Sequence, residues 1–124
     1  MGVPGIDQAA AMERVVKELS MLAETPLSID SADPKVLERA LRVYPGRALI
    51  NSVSGDPAQM NAIFPLAKKY GAAVLCLPIG PDGIPETAEE RLTVIRTIRE
   101  KALSFGLRPQ DLLADPLVLT LPSA

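Results

Sequence analysis

The sequence predicts an α/β fold built on a parallel sheet. Short apolar runs alternate with longer stretches of helical period in the order α-β-α-β-α-β-α-β, and strands separated by helices pair in parallel through right-handed crossovers. Three of the apolar runs finish in a polar residue: Pro26-Leu27-Ser28-Ile29-Asp30, Arg47-Ala48-Leu49-Ile50-Asn51 and Asp111-Leu112-Leu113-Ala114-Asp115. Two of these ends are followed by the same helix start, Asp33-Pro34 and Asp56-Pro57. Parallel strands all point one way, so Asp30, Asn51 and Asp115 fall at one edge of the sheet, the edge where α/β proteins bind ligands.

In chain order, Gly2 to Gly5 is a loop, and Asp7 caps a helix running to about Leu22, with Val15, Val16, Leu19 and Leu22 on its inner face. Glu24-Thr25-Pro26 ends it, and Leu27 to Asp30 is the first strand. Asp33 caps the next helix with Pro34 at its first position, where a missing amide costs nothing. That helix turns Val36, Leu37, Ala40, Leu41 and Tyr44 inward and stops at Gly46. Ala48 to Asn51 is the second strand and Ser52 to Gly55 a polar loop. The helix after Asp56-Pro57 runs to Tyr70 with Gly71 as its left-handed cap, and Pro65 predicts a kink or an early boundary near Phe64. Ala72 to Leu77 is the third strand, apolar enough to be covered on both faces. Pro78 to Pro85 is a turn-rich loop. Thr87-Ala88-Glu89-Glu90 is a capping box opening the longest helix, with Leu92, Ile95, Ile98, Ala102 and Phe105 inward and Gly106 at its end. Leu112 to Asp115 is the fourth strand, and an apolar tail runs from Leu117 to Ala124. A doubly wound sheet and a (β/α)8 barrel both fit this order, and four strands are too few to close a barrel of eight.

Composition narrows the chemistry. A length of 124 residues fits one domain or part of a larger one, and residues 1–124 are taken as a single partial domain. Hydrophobic content of 48% points to a packed chain rather than disorder, and with 3% aromatics and no Trp the core must be aliphatic and Ala-rich. A net charge of −2 with interspersed signs, and few rings to stack on bases, argue against a nucleic-acid partner. With no His, imidazole catalysis and His metal ligation are excluded, and no bound metal is expected. The single Cys76 lies in an apolar run and is expected to be a buried small hydrophobe. Met1-Gly2 fails the myristoylation pattern because Ile6 stands where Ser or Thr is needed, no leader is evident and no run approaches a membrane span. A cytoplasmic protein is the expectation.

Asp30 and Asp115 can be read as a general acid/base pair, or as holders of a neutral heterocycle: a carboxylate accepts two parallel hydrogen bonds from an exocyclic amine and a ring N–H. Asn51 donates and accepts, which suits a ring edge presenting both. A local role, capping a following turn, stays open for each aspartate. Asp33 and Asp56 are helix caps. Ser31, Ser52 and Ser54 share the same edge, Ser31 and Ser52 as secondary binding candidates, but none has a His or Lys partner at readable spacing, so no catalytic residue is assigned. Lys68 and Lys69 are a solvated helix end. Arg91, Arg96 and Arg99 with Glu89, Glu90 and Glu100 form a mixed-charge helix face. Gly80-Pro81-Asp82-Gly83 matches no phosphate-binding loop.

Taken together, Pro26-Leu27-Ser28-Ile29-Asp30-Ser31, Ala48-Leu49-Ile50-Asn51-Ser52-Val53-Ser54-Gly55, Lys69-Tyr70-Gly71-Ala72-Ala73-Val74, Gly83-Ile84-Pro85 and Ala114-Asp115-Pro116-Leu117 resemble the pterin-binding family. Within it they more closely resemble methyltetrahydrofolate-dependent corrinoid methyltransferases and the folate domain of cobalamin-dependent methionine synthase, with dihydropteroate synthase a more distant relative. The resemblance implies a TIM (β/α)8 barrel that holds the pterin of methyltetrahydrofolate at its C-terminal mouth. It also implies transfer of the N5 methyl group, in one-carbon metabolism, to a cob(I)amide cofactor carried by a separate corrinoid protein or domain. By resemblance, Asp30, Asn51 and Asp115 fall on pterin-contacting positions.

The family pattern begins with two strands ahead of this chain. The second ends in an Asp-x-Asn-x-Gly stretch, and Gly2-Val3-Pro4-Gly5-Ile6-Asp7 resembles the segment just after that stretch. The pattern continues through two further strands, the first bearing another functional Asn. The chain therefore resembles strands three to six of eight. Open barrel edges would leave unpaired backbone and apolar faces, which predicts a homo-oligomer or a partner chain that completes the barrel. The alternatives are a non-catalytic half-barrel assembly module, a dihydropteroate-synthase-like pterin enzyme, and a small doubly wound domain with an unrelated ligand.

Overall fold

The computed structural model describes residues 5–118, and the elements within it follow the predicted order. They are α1 (Gln8–Leu22), β1 (Ser28–Asp30), α2 (Pro34–Val43), β2 (Leu49–Val53), α3 (Pro57–Tyr70), β3 (Ala73–Cys76), α4 (Ala88–Ser104) and β4 (Leu112–Ala114), the last entered through a 3-10 turn at Pro109–Asp111. The apolar tail beyond Val118, and the start of the N-terminal loop, lie outside the described residues. Each helix start is chemical. Asp7, Asp33, Asp56 and Thr87 accept hydrogen bonds from the amides of Ala10, Lys35, Ala58 and Glu90, satisfying donors that the first helical turn cannot pair. Gly71 ends α3 in the left-handed region, at φ 66°.

All four strands are parallel, in the order β1-β2-β3-β4. Ile29, Ile50, Val74 and Leu112 stand in register across the sheet. The first three are buried and Leu112 packs against the same core, on the side where Leu37, Ile63, Phe64 and Ile98 come from the helices. The next row, Asp30, Asn51, Leu75 and Leu113, points the other way. Here Asp30 is exposed, Asn51 and Leu75 are half-buried, and Leu113 is 48% exposed. Right-handed crossovers between strands that are neighbours in both sequence and space put every helix on one face. A doubly wound sheet needs a reversal of strand order, and this sheet has none. It is an arc of a (β/α)8 barrel with its inner face uncovered.

That one-sided cover corrects several expectations. β3 is covered on one face only: Val74 and Cys76 are buried, while Ala73 and Leu75 are half-buried. On α1, Val16 alone of the expected inner residues is buried; Val15, Leu19 and Leu22 are exposed because α1 packs on α2 beside the open edge of β1. Leu92 is exposed, lining a shallow apolar groove with Ile95, Ala114 and Leu117. β2 runs on to the fully buried Val53, past the expected loop start at Ser52. α2 ends at Val43 rather than at Gly46. Pro65 neither ends nor splits α3, because both Pro65 and Asn61, whose carbonyl it leaves without a helical donor, are exposed to water.

Charged side chains also do more than the sequence suggests. Lys68 donates to the Gly106 carbonyl at 3.1 Å and Lys69 reaches Glu38 at 3.3 Å, so neither is merely a solvated end. At the amino ends of the strands, Asp111 accepts from Arg47 at 2.6 Å, and from the Arg108 guanidinium at 3.0 Å and amide at 2.8 Å. The pair of guanidinium groups holds its carboxyl well below the usual carboxylate range, Arg108 contributing most. This cluster ties the entry of β2 to the entry of β4 across β3.

Candidate functional site

Asp30 closes β1 and is in direct register with Asn51 of β2, so the two are neighbours at one strand spacing, about 4.8 Å. Asn51 faces Leu75 across the next ladder, and Leu75 faces Leu113. Asp115 lies two residues past Leu113, just beyond the end of β4, with its amide donating to the Cys76 carbonyl at 3.1 Å. Across the sheet β4 lies about 10 Å from β2 and about 14 Å from β1, spacings that the barrel curvature shortens, and Asp115 stands about 6–7 Å further along than the row of Asn51 and Asp30. The three polar residues thus lie toward one edge and on one face, Asn51 inside β2 instead of at its end, with the Leu75 strand between Asn51 and Asp115. Asp30 and Asp115 are too far apart to share a proton.

The local partners differ. The Asp115 Oδ1 accepts from the Leu117 amide at 2.9 Å, an Asx turn, so its turn-capping role is real and leaves its second oxygen for other donors. The Ser31 hydroxyl accepts from the Asp33 amide at 3.1 Å, and the Ser31 amide donates to the Asn51 carbonyl at 2.9 Å. Ser31 therefore buttresses the start of α2. Ser52 is half-buried where the β2–β3 register slips between Asn51 and Val53; the Asn51–Ser52 peptide is cis. The Ser54 hydroxyl accepts from the Asp56 amide at 3.3 Å. Cys76 is buried, which pushes its thiol up to about 12 and removes it as a nucleophile near neutral pH.

Two supporting residues are not singled out by the sequence. The Gln59 Oε1 accepts from the Ser54 amide at 2.5 Å and so pins the loop that follows Asn51. A signal is present: Asp56-Pro57-Ala58-Gln59 has the spacing of a capping box, although the glutamine reaches Ser54 instead of Asp56. Gly55 packs that loop on the loop after β3, its amide donating to the Ile79 carbonyl at 2.9 Å. A Cβ there would stand 3.0 Å from the Ile79 oxygen and 3.0 Å from a Val94 methyl.

Residues 2–124 match the family model described as pterin binding enzyme. The chain belongs to the pterin-binding enzyme family. The TIM-barrel architecture of that family agrees with the one-sided arc of parallel strands. Among curated relatives, the chain is 32% identical over 100 residues to a methylcorrinoid:tetrahydrofolate methyltransferase of Eubacterium limosum, covering 79% of this chain and 37% of that protein. It is 28% identical over 123 residues to the methionine synthases of Mycobacterium tuberculosis and Mycobacterium leprae, covering 94% of this chain and 10% of each. The chain therefore spans about a third of the length of the first relative and a tenth of the other two.

Proposed function

We propose that this chain supplies part of a pterin site for methyltetrahydrofolate, in an enzyme that moves a methyl group between the folate N5 and a corrinoid. The observation that supports it is the Asp30–Asn51 pair in direct register, with Asp115 on the same uncovered face at the carboxyl ends of the strands. Asn51 offers a donor and an acceptor to the ring edge. The carboxylates of Asp30 and Asp115 accept from exocyclic amine and ring N–H groups. Half-burial of Asn51 and Asp115 strengthens these bonds relative to water. The work asked of these residues is orientation of the ring, with N5 protonated when it is the leaving group. Ser31 supports the strand ends that carry the binding residues, and Ser52 is a secondary contact for the ring.

A corrinoid, when present, supplies the nucleophilic cobalt. This chain has no His with which to ligate it, which fits a corrinoid carried by a partner protein or domain. The uncovered inner face favours a second requirement, additional strands from the same polypeptide or from a partner chain, residues 1–124 being one partial barrel domain. Among the described residues no helix is long and apolar enough to cross a membrane, and we place the reaction in the cytoplasm.

Calorimetric titration of methyltetrahydrofolate into the chain tests the site. Binding that weakens roughly tenfold in Asn51→Ala, the loss expected for one buried hydrogen-bonding group, supports it. No binding by a folded sample would favour the non-catalytic assembly module instead.

A further inference from the structure

Arg91 stands in the first turn of α4, and its guanidinium reaches three main-chain carbonyls. Nε donates to Pro85 at 2.8 Å, and Nη1 donates to Pro116 at 2.9 Å and Leu117 at 2.7 Å. One side chain thereby ties the loop entering α4 to the segment leaving β4, and that segment carries Asp115. Leu117 has φ 61°, in the left-handed region that a branched side chain occupies only when its surroundings hold it there. Its two main-chain groups are both engaged: the carbonyl accepts from Arg91, and the amide donates to the Asp115 Oδ1 at 2.9 Å. Nη1 also holds the Pro116 carbonyl, which lies in the same peptide plane as the Leu117 amide, so without the guanidinium that plane is free to turn, the amide leaves Asp115 and the carboxylate is released.

We propose that Arg91 is a positioning residue for the pterin site, acting through Leu117 to fix where the Asp115 carboxylate points. This rests on the assignment of Asp115 to pterin binding. The Arg91–Leu117–Asp115 relay itself is a property of the loop and is open to test without ligand. Lysine cannot replace it, since an ammonium on a flexible stem lacks the planar fork that serves carbonyls on two segments at once.

The ligand-free experiment measures hydrogen exchange at the Leu117 amide by NMR. In the unaltered chain the amide is protected relative to Asp115→Ala; in Arg91→Met it exchanges as fast as in Asp115→Ala. Protection that persists in Arg91→Met overturns the relay. The binding experiment is a double-variant cycle with methyltetrahydrofolate. Asp115→Ala weakens binding about tenfold, Arg91→Met several-fold, and the double variant binds no worse than Asp115→Ala. Additive losses overturn the proposal, because Arg91 then acts by another route. If Asp115→Ala binds as well as the unaltered chain while Asn51→Ala does not, the pterin role of Asp115 fails, and with it the function given to the relay. If the unaltered chain binds no folate, the site assignment fails and the exchange measurement alone judges the relay. Should Arg91→Met not fold, Arg91→Lys takes its place in both experiments.

Discussion

Removing the charge at Asp111 gives the sharpest test of what holds the strand entries together. Its carboxylate is nearly buried and accepts from the Arg47 guanidinium at 2.6 Å, the Arg108 guanidinium at 3.0 Å and the Arg108 amide at 2.8 Å. A hydrogen bond to a charged group is worth about 1.5–3 kcal/mol net in a buried setting. The two guanidinium side chains are 47% and 59% exposed, so water screens their share and the bonds do not add in full. The total for Asp111 comes to about 2 kcal/mol, of which Asp111→Asn should lose about half or more, since an amide keeps an acceptor but not the charge.

The pH dependence fixes the sign. The folded carboxyl is held below its unfolded value of about 3.9, so its contribution is fully present above pH 4 and is lost as pH falls through the depressed folded value. Urea unfolding followed by helical circular dichroism should show Asp111→Asn weaker than the unaltered chain by about 1–2 kcal/mol at both pH 7 and pH 5. The gap should narrow steadily below pH 4. A gap under about 0.5 kcal/mol at pH 7, within the range of a neutral surface change, refutes the reasoning, as does one that widens in acid.

Three further outcomes are expected. Gly55→Ala should destabilise by about 1–3 kcal/mol through overpacking against the Ile79 carbonyl and Val94, lowering the melting temperature by several degrees; an unchanged melt would mean that the two loops part freely. Cys76 should resist a thiol reagent at pH 8 until urea unfolds the chain, because burial holds its thiol at about 12, whereas prompt labelling of the folded chain would contradict that burial. Light scattering should show the chain assembled above its 13.2 kDa monomer mass, with Leu113→Lys shifting it toward monomer; a monodisperse unaltered monomer would leave the inner face uncovered in solution.

What is legible in the sequence is local. The Asp7, Asp33 and Asp56 caps and the Gly71 terminus are set by bonds that span a few residues, and the structure has them in place, as it has Asp30 at the end of β1; Asn51 lies inside β2 instead of at its end. What stays hidden depends on the distant partner. Arg91 belongs to a mixed-charge helix face until residues 25 and 26 positions away come to rest on it. Asp111 gives no sign of an ion-pair centre because Arg47 stands 64 residues earlier. The inner faces of α1 and β3 differ from expectation for the same reason: apolar spacing says which side is greasy, not whether anything is packed there. Val15 and Leu75 lie on apolar faces that these residues alone do not cover.

Strand order links the two halves of the problem. Sequential strands with right-handed crossovers place all the helices on the side of Ile29, Ile50 and Val74, so Asn51 and Asp115 share their face with Leu75 and Leu113. The candidate binding surface and the surface that needs covering are therefore the same. Closing it would remove water from the apolar row and from Asn51 in one step, strengthening every hydrogen bond offered to a ring lying there. Folate affinity and assembly should consequently rise together, so that the dissociation constant falls as protein concentration increases. An affinity independent of concentration, in a chain that does assemble, would show that it joins its partners by the strand edges at β1 and β4 and leaves the inner face open.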